Sequence, residues 1–303
     1  MSRTLFHIGY PKTASTTLQK HVFGQVQGLC FPMPLEAQLA HQMMLHLAGA
    51  SDDAYNPRAC AGLVEDVVAR AGGHVATFSC EVLCGQPFRA SLATAAASAE
   101  RIAALPGTAT ILIVTRRQDE HLRSLYHQYV KVGGTARFEE VIAENTGGPR
   151  IDHRYICFDR LVARHMDLFG AEAVIVEPFE TLVADTQGAI NRILARLDLP
   201  PTTISPVPNA NPSLDAFGVA VQRRYNDLFA ASAYSPNPKI THLMHAQRAA
   251  AVIGRILPST RRPSSFSDQI PKRMLEDFAE SNRRLDEMLG GTLAGLGYPG
   301  VDA

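Results

Sequence analysis

Residues 4–19 read TLFHIGYPKTASTTLQ. The first six form a short apolar run that reads as a buried strand. From Thr17 to about residue 26 the apolar spacing is helical. Between the two lie small residues, a lysine and threonines. A strand, a small-residue loop and a helix in that order make a phosphate cradle. The N–H groups at such a junction attract anions, with help from the helix dipole. Gly9, Ala14 and Ser15 let a ligand approach the backbone. Thr16 and Thr17 bring hydroxyl donors, and Lys12 brings a compact charge. Thr16 and Gln19 have the spacing of a capping box. A Walker loop that began at Gly9 would place Gly-Lys-Thr/Ser at 14–16. Here those positions are Ala14-Ser15-Thr16, and the lysine lies three residues earlier than the Walker position. The plain alternative is an ordinary polar strand-to-helix loop.

The pattern around this stretch repeats it. Strands are predicted at 4–9, 74–79, 109–115 and 173–177. Helices are predicted at 17–26, 35–48, 60–71, 89–104, 119–131, 155–169 and 181–197. ATILIVT (109–115) is apolar throughout, as suits a parallel strand buried on both faces. The expected fold is α/β, a P-loop-like three-layer α/β/α arrangement with a central parallel sheet. After Leu199-Pro200-Pro201 the texture changes. A loop rich in Pro, Asn and Ser (200–212) leads to helices at 213–230, 241–256 and 271–289. The division expected is an α/β core over 1–200 and a helical C-terminal cap over 201–303 that completes the site, the two forming one integrated domain. In open α/β sheets, ligands bind beyond the carboxyl ends of the strands. The loops after residues 9, 79 and 115 fall there.

The 303 residues balance 29 basic against 29 acidic side chains. Zero net charge argues against a bulk nucleic-acid binder, so any anion site is local. Only five of the basic residues are lysine. No apolar run approaches the ~20 residues that span a bilayer, and MSRTLFHIGY is too short in apolar stretch for a signal peptide. Five cysteines, an odd number in a long chain, point to reduced thiols and a cytoplasmic location. Cys80 and Cys84 do not have the spacing of a zinc pair, and the eleven histidines show no metal-ligand spacing.

A second segment sharpens the first. Strand 109–115 is followed by RRQDEHLRSLYH (116–127). An arginine at a strand's carboxyl end and a serine two turns into the next helix, here Arg116 and Ser124, can grip one phosphate from two sides. The arginine contributes a bidentate fork. Together the two segments resemble the 3′-phosphoadenosine-5′-phosphosulfate (PAPS)-dependent sulfotransferases. In that family a Tyr-Pro-Lys-Thr/Ser-Gly-Thr-Thr loop binds the 5′-phosphosulfate, and the arginine–serine motif binds the 3′-phosphate. Leu18-Gln19 is similar to the bacterial branch. Glu180-Thr181-Leu182 after strand 173–177, and 280–298 near the C-terminus, resemble further family segments. The chain departs at Ala14 and Ser15, where the family carries Gly and Thr. It also lacks the adenine-side Gly-x-x-Gly-x-x-Lys motif. Asn209, Asn211, Ser213, Arg223, Arg224 and Lys239 are the candidates to replace that motif.

The resemblance implies sulfuryl transfer from PAPS, without a metal, to an acceptor hydroxyl of a carbohydrate, glycolipid or small molecule. Pro11, Lys12, Thr13, Ala14, Ser15, Thr16, Thr17, Arg116 and Ser124 would bind the nucleotide. Lys12 would stabilise the charge on the leaving phosphate. The family's base is a histidine or a glutamate. Glu81, at the end of strand 74–79, matches the bacterial Ser-x-Glu element, and burial would raise its pKa towards use as a base. His7, His41 and His46 are weaker candidates. The acceptor site is expected around 30–57, the loop after 131 and the cap. Two other readings stay open: a P-loop nucleotide kinase, and a non-catalytic binder of PAPS or of its desulfated product, adenosine 3′,5′-bisphosphate (PAP).

Overall fold

A computed structural model describes residues 3–31, 34–49, 51–88, 91–143, 151–205, 216–229 and 266–302. Its centre is a five-stranded parallel sheet in the order β2-β3-β1-β4-β5. The strands are β1 (Arg3–Gly9), β2 (Leu29–Cys30), β3 (Val75–Ser79), β4 (Thr108–Thr115) and β5 (Val174–Pro178). β1 sits in the middle, and the chain crosses it between β3 and β4. The strand order therefore reverses at β1, which puts the crevice for a ligand beyond its carboxyl end.

The continuous apolar runs explain this sheet. Successive side chains point to opposite faces, and both faces are covered. On one face Leu5, Leu112, Val114 and Ile175 pack with Leu18, Phe23, Ile190 and Leu194. Three of these last four come from α1 (Ser15–Leu18) and α9 (Thr186–Arg196). On the other face Phe6 stacks on Phe78 with ring centroids 5.0 Å apart, and α7 (Phe158–Phe169) packs on β4 and β5. The three-layer α/β/α arrangement read from the sequence is the observed one.

The remaining helices of the first half are α2 (Pro34–Gly49), α3 (Pro57–Ala71) and α4 (Ser91–Ala103). Asn56 caps α3, its side chain accepting from the Ala59 N–H. The predicted helix 181–197 is instead two, α8 (Phe179–Ala184) and α9. Asp185 separates them, because its carboxylate accepts from the Gly188 N–H and caps α9. A Cβ on Gly188 would lie 1.9 Å from that carboxylate, so a larger residue there would make the Asp185 side chain shift. The short strand β2 is absent from the sequence prediction.

The chain gathers into two compact units. One comprises Met1–Arg117, Arg154–Val207 and Glu276–Ala303; the other comprises Gln118–His153 and Pro208–Leu275. The first holds the sheet and most of α11 (Lys272–Met288). In the second, α5 (Gln118–Lys131), α6 (Phe138–Ile142) and the 3₁₀ turn Phe266–Gln269 pack around Tyr126, Phe138 and Phe266, and α10 (Ala216–Phe229) packs on α5. Asn226 of α10 donates to the carbonyls of Val130 and Gly134 and so finishes the C-terminal end of α5. The predicted helix 241–256 lies outside the described residues, as do Asn209, Asn211, Ser213 and Lys239. Among the described residues no helix is long and apolar enough to cross a membrane.

Candidate active site

The loop that leaves β1 is shaped by its own backbone. Lys12 and Ala14 both have left-handed φ values, 68° and 66°, on either side of Thr13. Alternation of this kind gathers successive N–H groups into a concavity that suits an anion. Side chains lock it from within. The hydroxyls of Thr13 and Ser15 both donate to the Tyr10 carbonyl, at 2.5 and 3.2 Å. They are staples of the loop, and any contact they make to an anion runs through their N–H groups. The Tyr10 ring anchors the loop below, edge-on to Tyr155 and Phe158, while the Tyr10 N–H donates to the Val114 carbonyl of β4. Thr16 is exposed and Thr17 half-buried, with Pro11 half-buried and Lys12 exposed.

The expected capping box is not formed. Helix α1 starts at Ser15, two residues before the predicted start, and Ala14 caps it without a side-chain bond. Gln19 turns instead to β3, where its amide donates to Ser79 Oγ at 2.9 Å. The left-handed Ala14 ends the loop sooner than a Thr16 cap would allow.

Glu81 opens the short 3₁₀ turn Glu81–Cys84 after β3. Gly9 lets this turn close on the loop. A Cβ at Gly9, where φ is 121°, would come 2.8 Å from Cys84 Sγ and 3.5 Å from the Glu81 backbone. The Glu81 carboxylate accepts a hydrogen bond from Ser15 and feels the charge of Lys12. Burial raises the Glu81 pKa above the ordinary carboxylate value, and Ser15 and Lys12 only partly oppose it.

Arg116 approaches from the other side. It follows β4, donates to the Lys12 carbonyl at 2.9 Å and lays its guanidinium over the Phe179 ring at 4.4 Å. Phe179 and Glu180 begin α8. Glu180 accepts from the Arg117 N–H at 3.0 Å and from the Tyr298 hydroxyl at 3.0 Å. Tyr298 also meets Thr115 Oγ1 at 3.1 Å. The sequence reading assigned no role to Phe179, Glu180 or Tyr298. The arginine followed eight residues later by a serine draws attention to the next helix, whereas the groups that steady Arg116 come from β5 and the C-terminal end.

The order β3-β1-β4 therefore brings Glu81, the Lys12 loop and Arg116 together at the carboxyl ends of three adjacent strands. Ser124 lies half-buried on α5, which belongs to the second unit. Arg223 and Arg224 lie on α10 of the same unit, with Arg223 donating to the Thr135 carbonyl.

The histidines separate. His7 is wholly buried within β1, its Nδ1 2.7 Å from Ser79 Oγ, and burial lowers its pKa from 6.5 to about 4. It is a packed, neutral ring. His46, in the last turn of α2, accepts at Nε2 from the N–H of Asn56, the cap of α3. His41 is exposed and lines a cavity of about 420 Å³ beside Thr16 and Glu81. All five cysteines are free thiols.

No family model matches the chain, and no curated protein matches it. Among the solved structures similar to it in chain trace are three sulfotransferases or sulfotransferase domains. A sulfotransferase from Alicyclobacillus acidocaldarius is 19% identical, with a TM-score of 0.47 over 70% of this chain and 87% of its own. The sulfotransferase domain from the curacin biosynthetic pathway is 12% identical, with a TM-score of 0.42 over 91% of this chain and 97% of its own. The sulfotransferase domain from the Synechococcus PCC 7002 olefin synthase is 11% identical, with a TM-score of 0.43 over 88% of this chain and 92% of its own.

Proposed function

We propose that this chain is a sulfotransferase that moves the sulfuryl group of PAPS to an acceptor hydroxyl. One observation carries the reading. The loop GYPKTASTT, which resembles the family's 5′-phosphosulfate loop, has Arg116 bonded to its Lys12 carbonyl and Glu81 bonded to its Ser15. Two cations and one carboxylate thus surround a single anion-shaped backbone. A kinase reading would want an acid for magnesium after β4, and Arg116 occupies that position.

PAPS supplies a sulfuryl group joined to a phosphate that leaves with added negative charge. The N–H groups of 13–17 and the Lys12 ammonium hold that charge, the kind of preorganised stabilisation that carries most catalysis of this type. Arg116, braced by Phe179, offers its guanidinium to the 3′-phosphate as a fork. Ser124 is the proposed second contact to that phosphate. Glu81 takes the proton of the acceptor hydroxyl as the new O–S bond forms and the bond from sulfur to the phosphate oxygen breaks. Its raised pKa brings it nearer the operating pH, where a general base is most effective.

Calorimetry with PAP tests the nucleotide site. Wild type should bind, and Lys12→Ala and Arg116→Ala should each weaken binding by about tenfold or more, as loss of a charge-assisted contact implies. No binding by wild type, together with magnesium-dependent ATP hydrolysis, would turn the assignment to a kinase.

A further inference from the structure

Three polar groups next to Glu81 have no part in the chemistry above. His7 is wholly buried in β1, with its Nδ1 2.7 Å from Ser79 Oγ. The Gln19 amide nitrogen lies 2.9 Å from Ser79 Oγ and 3.5 Å from the Ser79 carbonyl. A carbonyl only accepts. Gln19 must therefore present its NH₂ group to Ser79, and Ser79 Oγ accepts from it.

The Ser79 proton has two places to go. With the His7 proton on Nε2, Nδ1 would take the Ser79 proton. The Nε2–H would then be buried without an acceptor, since Nε2 has no hydrogen-bond partner among the described residues. A buried N–H left unmet is rarer than an unmet acceptor. With the proton on Nδ1, His7 and Gln19 both donate to Oγ and fill its two lone pairs. The Ser79 hydroxyl then has only its own proton to give. Among the described residues its side chain bonds only to His7 and Gln19, and it lines the cavity that Glu81 also lines. Cys80 between them is extended, with φ −153° and ψ 117°. Ser79 and Glu81 therefore leave the chain on the same side.

Resting on the sulfotransferase reading above, we infer that Ser79 donates its proton to the acceptor atom and makes the site select hydroxyl acceptors over amines, with His7 and Gln19 as the positioning residues that aim it. A hydroxyl oxygen has two lone pairs. One forms the bond to sulfur, the other takes the Ser79 hydrogen bond, and the hydroxyl proton passes to Glu81 as PAP leaves. An amine nitrogen has a single lone pair. The attack on sulfur consumes it, and the Ser79 proton is left unmet in the site, which is costly.

Two measurements on the full chain test this. Nitrogen NMR of the imidazoles should find the His7 proton on Nδ1, with the His7 signals recognised by their shift in Ser79→Ala. A proton on Nε2 overturns the inference whatever the activity. Labelled PAPS is then given water alone, phenol or aniline. Wild type should favour phenol over aniline. Ser79→Ala should cut that preference by about tenfold or more and slow sulfate release to water likewise, with PAP affinity unchanged. Ser79→Thr keeps the hydroxyl and should restore both. Gln19→Leu should lower the preference less, and add nothing in the Ser79→Ala background, because it acts only through that hydroxyl. A wild-type preference for aniline, an equal loss on phenol and aniline, or unchanged release to water overturns the inference and leaves the transfer reading standing. If wild type binds PAPS and never turns it over to PAP, the transfer reading falls and this inference falls with it.

Discussion

The two sides of the site are held by different means. Where the chain leaves β1, the turn of the loop is closed by short-range bonds, while Tyr10 and the Lys12 carbonyl tie it to Tyr155, Phe158, Val114 and Arg116. Thr13 and Ser15 reach three and five residues back to Tyr10, and Lys12 and Ala14 take left-handed backbone. Where the chain leaves β4, the anchors are remote. Glu180 is 63 residues from Arg117, and Tyr298 is 183 residues from Thr115. A turn closed by its own short-range bonds depends less on remote packing than one that has none. The end of β4 is only as ordered as the distant segments that dock on it.

The largest expected effect lies beside the β1 loop, at Glu81 on the turn after β3. Glu81→Gln keeps the shape of the carboxyl group and removes its basicity. Transfer should fall by about 10²- to 10⁴-fold, while calorimetry shows PAP binding unchanged. Wild-type kcat/KM should rise with pH along a limb placed above the ordinary carboxylate range, because burial raises the Glu81 pKa. The limb should vanish in the variant. Stability moves in the opposite sense. A carboxyl group with a raised folded pKa favours folding most below its unfolded pKa, and that contribution is lost as pH rises through the folded value. At neutral pH the glutamine variant should therefore melt higher than wild type. Unchanged transfer in the variant would leave the site without its base.

The remote side should answer more weakly and in a different parameter. Tyr298→Phe removes one hydroxyl that links Thr115 to Glu180. The cost in stability should be about 1 kcal/mol, the net worth of a typical buried hydrogen bond. With Glu180 less constrained, Arg117 and its neighbour Arg116 lose part of their support. KM for PAPS should rise a few-fold with kcat nearly unchanged, since Lys12 and Glu81 are untouched. If kcat fell with KM unaltered, the C-terminal anchor would be acting on the local side as well, and the contrast between the two would fail.

The same contrast explains what the sequence showed. The four strands with continuous apolar runs were legible because burial on both faces leaves no room for polar alternation. β2 was not, since two residues at a sheet edge carry no periodic signal. Lys12 and Arg116 were legible because each lies within a few residues of a strand's end. Glu81 could be read for the same reason, although its hydrogen bond to Ser15 could not. The misplaced start of α1 has a physical cause. Thr16 and Gln19 have the right types for a capping box, but Ala14 adopts a left-handed conformation that alanine seldom takes and residue type does not announce. Phe179, Glu180 and Tyr298 meet only when β5 and the C-terminal end fold against β4, a coincidence of tertiary structure that no local pattern encodes.

The smallest effect tests that left-handed alanine. For an L-residue the left-handed region brings Cβ against the following carbonyl, at a cost of roughly 1–2 kcal/mol that glycine escapes. Ala14→Gly should recover part of this, offset by the greater freedom of glycine in the unfolded chain. A net gain of about 0.5–1 kcal/mol is expected, read as a small rise in Tm, with transfer unchanged because the loop already holds the required shape. Ala14→Val should do the reverse, as a β-branched side chain tolerates positive φ poorly, and PAP affinity should fall with stability as the N–H concavity opens. A stabilising valine would mean that the loop owes its shape to its surroundings, as the end of β4 does, and not to the conformations of its own residues.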